Sequence, residues 1–118
     1  MLHMMFFILF SDRVCQQCLI NMYVYILDRM SSVDDAMDHL IQDGCLSLDE
    51  QQEIKLPLMT PRDQTRKLLE ILQTKGQAGF NAFIRGLERK NRHLAKRLKD
   101  EKKRIEDEEL SSISSERG

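Results

Sequence analysis

Glycine, proline, paired cysteine and long apolar runs are all scarce in this chain. Five glycines and two prolines in 118 residues, beside 42% hydrophobic and 31% charged residues, fit a mostly helical bundle and disfavour a sandwich or a disordered chain. Three cysteines (Cys15, Cys18 and Cys45) are an odd number, which does not make the disulfide framework of a small secreted protein and points to a reducing, cytoplasmic setting. The one apolar run, "MLHMMFFILF", stops at Phe10. It has no basic start and no small-residue cleavage site, and it is too short to span a bilayer. Residues 1–12 are therefore expected to be a disordered or loosely packed extension, with no membrane role. A chain of 118 residues has room for one small core and tails, which excludes a large two-domain enzyme.

Catalytic and metal-binding patterns are missing too. There is no glycine-rich phosphate loop and no His-Glu-x-x-His, and Ser, His and Asp lie scattered without a supporting spacing. Cys15-x-x-Cys18 has the spacing of half a zinc site. The further candidates Cys45, His39, His3 and His93 supply no second pair, and the βαβ context of a redox motif is absent. Asp34, Asp35 and Asp38 sit on a helical pattern, whereas an EF-hand spreads its ligands through a twelve-residue loop. No enzymatic activity, cofactor, metal or small-molecule substrate is expected.

What the sequence does contain is helical punctuation. From Arg13 to Met30, Cys15, Leu19, Met22, Tyr23, Ile26 and Met30 fall at spacings of three and four, one face of a first helix. "SSVDDAMDHLIQDG" follows, with Ser32 as cap, Asp35 at the place of a capping-box acid, Gly44 as a left-handed stop, and Val33, Met37, Leu40 and Ile41 facing inward. Ser47 and Glu50 have capping-box spacing for a short third helix, which "KLPLMTP" ends. Thr60 caps the fourth, Pro61 takes its first position, Gly76 ends it, and Leu68, Leu69 and Leu72 face the core. On its outer side Arg62, Arg66 and Glu70 form an i, i+4 row, with Asp63 and Lys67 a second pair. Phe80, Phe83, Ile84 and Leu87 give a buried fifth helix. In the sixth, Leu94, Leu98 and Ile105 share one side; it is expected to dock at Leu94 and Leu98 and then leave the body, and "SSISSERG" reads as disordered.

The net charge of -1 hides segregation along the chain. Residues 33–59 carry seven acids against Lys55, giving -6, and residues 60–105 carry fourteen Lys/Arg against five acids, giving +9. Surfaces of opposite sign on one small domain can attract another copy or a relative head to tail.

Six short helices with these breaks resemble a caspase recruitment domain (CARD) of the death-domain superfamily. The resemblance covers roughly residues 13–99 and rests on the order and spacing of two stretches. "LIQDGCLSLDEQQEI" looks like the family's second-helix end, glycine turn and short third helix. "PRDQTRKLLEILQTKGQAGFNAFIRGL" matches its Pro-x-x-Asp, Lys-Leu-Leu-x-x-Leu, Lys-Gly and Phe-x-x-Phe-x-x-x-Leu sequence. The resemblance implies an all-α, six-helix antiparallel Greek-key bundle at 13–99, followed by a charged helical extension and tail at 100–118. It also implies no catalytic site and homotypic association with other CARD-containing proteins (caspases, adaptors or receptors), including self-association into oligomers. A basic surface on the first and fourth helices would meet an acidic surface on the second and third. Carried over by position, Arg62, Arg66 and Lys67 match the basic side and Asp34, Asp35, Asp38, Asp49 and Glu50 the acidic side. One departure is the first helix, where only Arg13 and Arg29 flank "VCQQCLINMYVYIL", leaving Tyr23 and Tyr25 as non-polar contacts.

The function expected is a non-enzymatic adaptor or decoy in apoptotic or inflammatory signalling, acting alone or as a fragment of a longer caspase or receptor. The rival reading is a nucleic-acid-binding helix at 89–104, "RKNRHLAKRLKDEKKR", contacting phosphates in a salt-sensitive way. Against it, Asp100 and Glu101 interrupt the basic run, "EDEE" follows at once, and no nucleic-acid motif accompanies it.

Overall fold

Met22 divides the first expected helix in two. Its backbone relaxes to φ -100° and ψ 8°, yet Met22 N–H still reaches Cys18 O at 3.0 Å and Ile26 N–H reaches Met22 O at 2.8 Å, so the path bends without ending. The run Tyr23-Val24-Tyr25-Ile26 consists of weak helix formers, which resist the bend least. A computed structural model describes residues 2–117, with side chains described for 9–111. The described residues are all helical apart from turns: α1 Leu2–Asn21, α2 Tyr23–Arg29, α3 Asp34–Gln42, α4 Leu48–Ile54, α5 Pro61–Leu72, α6 Gly76–Glu88 and α7 Arg92–Arg117. The expected six helices are these seven with α1 and α2 counted together.

The punctuation mostly holds. Ser47 Oγ accepts from Glu50 N–H at 3.0 Å while Ser47 N–H donates to Glu50 Oε1 at 3.0 Å, a complete capping box on α4. Thr60 Oγ1 accepts from Asp63 N–H at 3.1 Å, with Pro61 opening α5. Gly44, at φ 74°, turns the chain after α3, where Cys45 N–H meets Leu40 O and Gly44 N–H meets Ile41 O, the paired bonds of a Schellman stop. Two details differ. The cap of α3 is Val33, with no side-chain bond; Ser32 Oγ takes Asp34 N–H at 3.2 Å instead, and Asp35 closes no capping box. Gly76, at φ 65°, opens α6; α5 has already ended at Leu72.

Every core residue expected in α3, α5 and α6 is buried apart from Ile41, which is half-buried. Helix α3 lies most intimately on α6: a Cβ on Gly86 would stand 2.7 Å from Ala36 Cα, so only glycine permits the approach. Helices α4 and α2 rest on α5, and α1 runs against both α6 and α7.

Helix α7 does not leave the body after Leu98. Ile105 is 4% exposed, Asn21 donates to Glu101 at 2.9 Å and Arg13 pairs with Glu109, so α1 and α7 lie antiparallel well beyond the expected boundary. The partner it continues along is the Arg13–Asn21 stretch of α1, from Asn21 at Glu101 to Arg13 at Glu109; α1 itself also starts earlier than expected, at Leu2 rather than Arg13. Both helices pass through the boundaries expected at 12/13 and 99/100, and α7 runs on through the tail expected to be disordered. The side chains of residues 1–8 and 112–118 lie outside the described residues. Asp12, unremarked in the sequence, ties α1 to α6 by accepting Gln77 N–H at 2.9 Å.

Candidate interaction surfaces

The acidic residues lie on two short helices. Asp34, Asp35 and Asp38 belong to α3, and Asp49 and Glu50 to α4. Three of them are already paired: Asp34 with Lys55 at 2.7 Å, Asp35 with Lys90 at 3.2 Å, and Glu50 with Lys75 at 2.9 Å. The Lys55 hydrogen bond draws the Asp34 carboxyl below its usual range. The Ser47 backbone N–H, then Lys75, do the same for Glu50. Asp38 and Asp49 are exposed and have no ion-pair partner among the described residues.

The expected basic row lies on α5 and is also paired. Arg62 meets Asp28 at 3.0 Å, Arg66 meets Asp63 at 2.9 Å, and Lys67 lies 3.6 Å from Glu70 and 3.9 Å from Glu53. Along α5 the pairs are thus i, i+3, in place of the Asp63–Lys67 pair expected. No member of the basic set is bonded to any member of the acidic set. The two sets therefore do not cancel each other directly, although local partners screen both. Exposed pairs of this kind are worth about 0–1 kcal/mol each and exchange readily for another partner.

The first-helix surface differs from expectation in its contacts. Tyr23 and Tyr25 are half-buried against the core, and the Tyr25 ring lies between Arg29 at 4.6 Å and Arg97 at 5.4 Å. The apolar side chains open to solvent there are Ile20 and Val24, 57% and 61% exposed. Leu48, Leu56 and Leu58 are exposed on α4 and the turn after it. Periodicity cannot find such residues, because it identifies buried faces and is blind to apolar residues outside them.

In the basic stretch 89–104, several charges are likewise neutralised: Lys90 by Asp35, Lys99 by Glu88, and Arg104 by Glu101 and Glu108. Arg89, Arg92, Lys96 and Lys103 have no ion pair among the described residues and are exposed. A concavity of about 500 Å³ between α6 and α7 is lined by Phe80 and Ile84 together with charges of both signs, among them the Lys99–Glu88 and Lys102–Glu106 ion pairs.

Cys15 and Cys18 are fully buried. The Cys18 thiol donates to Leu98 O at 3.4 Å. Burial pushes Cys15 up to about 11 and Cys18 up to about 12, so both remain protonated, unreactive thiols at neutral pH. Among the described residues, no three His, Cys, Asp or Glu are placed to hold a metal ion, and no helix is long and apolar enough to cross a membrane.

No curated protein and no solved structure gives a significant match to the chain. A family model described as "Caspase recruitment domain" matches residues 16–101, most of the chain, and spans α2 to α6 whole with the adjoining parts of α1 and α7. With that match over a helical bundle of the expected order, the chain belongs to the caspase recruitment domain family.

Proposed function

We propose that this chain is a cytoplasmic docking protein that pairs with other recruitment domains through oppositely charged surfaces, as an adaptor or as a decoy that occupies a partner's surface. Recruitment domains are protein-interaction modules of apoptotic and inflammatory signalling; they bind one another and are generally non-enzymatic.

The observation that carries the reading is the state of the acidic surface. Asp38 and Asp49 stand exposed on consecutive helices without an ion pair among the described residues, and the cations of α5 are not bonded to them. Like any exposed charge, they favour encounter with a basic surface on another molecule. Contacts between unlike faces are heterologous, so they extend into open oligomers instead of closing as a dimer.

The test is capture of the full chain on a panel of immobilised recruitment domains from caspases, adaptors and receptors, at low and high ionic strength. At least one is expected to retain the parent at low salt. Asp38→Lys is expected to lose that capture by about tenfold or more, with helical circular dichroism unchanged. Arg66→Glu, run beside it, reports on the α5 side. Capture by none, or capture indifferent to both variants, contradicts the reading.

A further inference from the structure

Internal pairing leaves the available positive charge in a different place from the α5 row. Arg62, Arg66 and Lys67 each face a carboxylate of their own molecule, whereas Arg89, Arg92 and Lys96 face none among the described residues. These three sit, exposed, at the corner where α6 ends and α7 begins. The sequence agrees once it is divided more finely. Residues 85–99 carry seven Lys/Arg against one acid, net +6, and residues 60–75 carry four against two, net +2.

Local electrostatics makes the corner more positive still. The amino end of a helix carries partial positive charge and is stabilised by acids, yet the first turn of α7 has no acid and opens with Arg92 and His93. Spacings of four, three and four place Arg92, Lys96, Lys99 and Lys103 along one side of α7, of which only Lys99 is neutralised, by Glu88. An arriving carboxylate meets cations there without first displacing an internal one. On α5 it would have to displace Asp28, Asp63 or Glu70.

Outside α7, the exposed carboxylates without an ion pair among the described residues are Asp38 on α3 and Asp49 on α4. We infer that the α6–α7 corner of one chain, through Arg89, Arg92 and Lys96, docks onto the α3–α4 surface of a second copy, through Asp38 and Asp49. The inference rests on the homotypic reading above and replaces its cationic half. The two surfaces occupy different elements, so each copy can use both at once and the contact propagates.

The test is sedimentation velocity of the full chain at low ionic strength, with circular dichroism to verify folding. Arg92→Glu/Lys96→Glu and Asp38→Lys/Asp49→Lys are each expected to weaken self-association about tenfold or more. An equimolar mixture of the two variants is expected to associate again, because each supplies the surface the other lacks. If the parent associates and Arg92→Glu/Lys96→Glu associates equally well, or the mixture stays monomeric, the corner is not the mate of the α3–α4 acids; the homotypic reading survives that result, the more so if Arg66→Glu is the variant that weakens. If that corner variant keeps self-association but loses binding to a duplex RNA probe, the corner serves a phosphate backbone and the inference is overturned. A parent that neither self-associates nor is captured by any recruitment domain removes the homotypic reading, and this inference with it.

Discussion

Among single residues, Glu101 shows most directly how the body holds its last helix. Arg104 bonds both of its carboxylate oxygens at 2.8 Å and Asn21 of α1 donates to it at 2.9 Å; the carboxylate is 17% exposed. Arg104, then Asn21, hold its carboxyl down at about 2, from an ordinary 4.5. A carboxyl depressed by folding contributes stability that is fully present above its unfolded value and is lost as pH falls through its folded value. The contribution is thus complete above about pH 4.5 and gone below about pH 2, and the 53% exposure of Arg104 keeps it modest. Glu101→Gln is expected to flatten the loss of stability with acid between those limits, measured by urea unfolding at stepped pH; an unchanged slope would place the carboxylate outside the folded network. Only half of this is legible in the sequence. Arg104 stands at the i, i+3 spacing of a helix pair, but Asn21 lies eighty residues away, across a helix pair whose register spacing does not reveal.

Elements were far easier to read than contacts. Capping signals are local chemistry: a hydroxyl three residues before a carboxylate has little choice of bond, and Ser47 and Thr60 behave accordingly. Where the sequence misled, tertiary packing had intervened. Ser32 lost the α3 cap to Val33, which is fully buried and starts the helix one residue later. Cys15, Cys18 and Ile105 are buried for a single reason: α7 continues past Leu98 along the Arg13–Asn21 stretch of α1, a docking that neither segment announces alone. The measurement at this scale is therefore Ile105→Ala. Deleting a buried isoleucine side chain costs about 2–5 kcal/mol, whereas a change on a helix that had left the body would stay within about 0.5 kcal/mol. Chemical denaturation is expected to show the larger loss.

For the molecule as a whole, charge segregation along the chain was plain from composition, but its distribution over the surface was not. The basic row assigned to α5 by position in the family pattern is neutralised by Asp28, Asp63, Glu53 and Glu70, acids whose proximity only the folded chain reveals. Among the described residues, exposed charges without an ion pair include instead Arg89, Arg92 and Lys96 at the α6–α7 corner, and Asp38 and Asp49. Exposed apolar residues, Ile20 and Val24 on the bent first helix and Leu58 in the turn before α5, offer a different way to associate, one that salt would not weaken. The two routes respond to ions in opposite senses, since exposed charges more than about 10 Å apart are largely screened at 0.1 M salt. Sedimentation velocity of the unmodified full chain across a series of salt concentrations separates them. Electrostatic pairing between copies predicts association that weakens steadily as ionic strength rises; association that is indifferent to salt, or strengthened by it, would contradict the account.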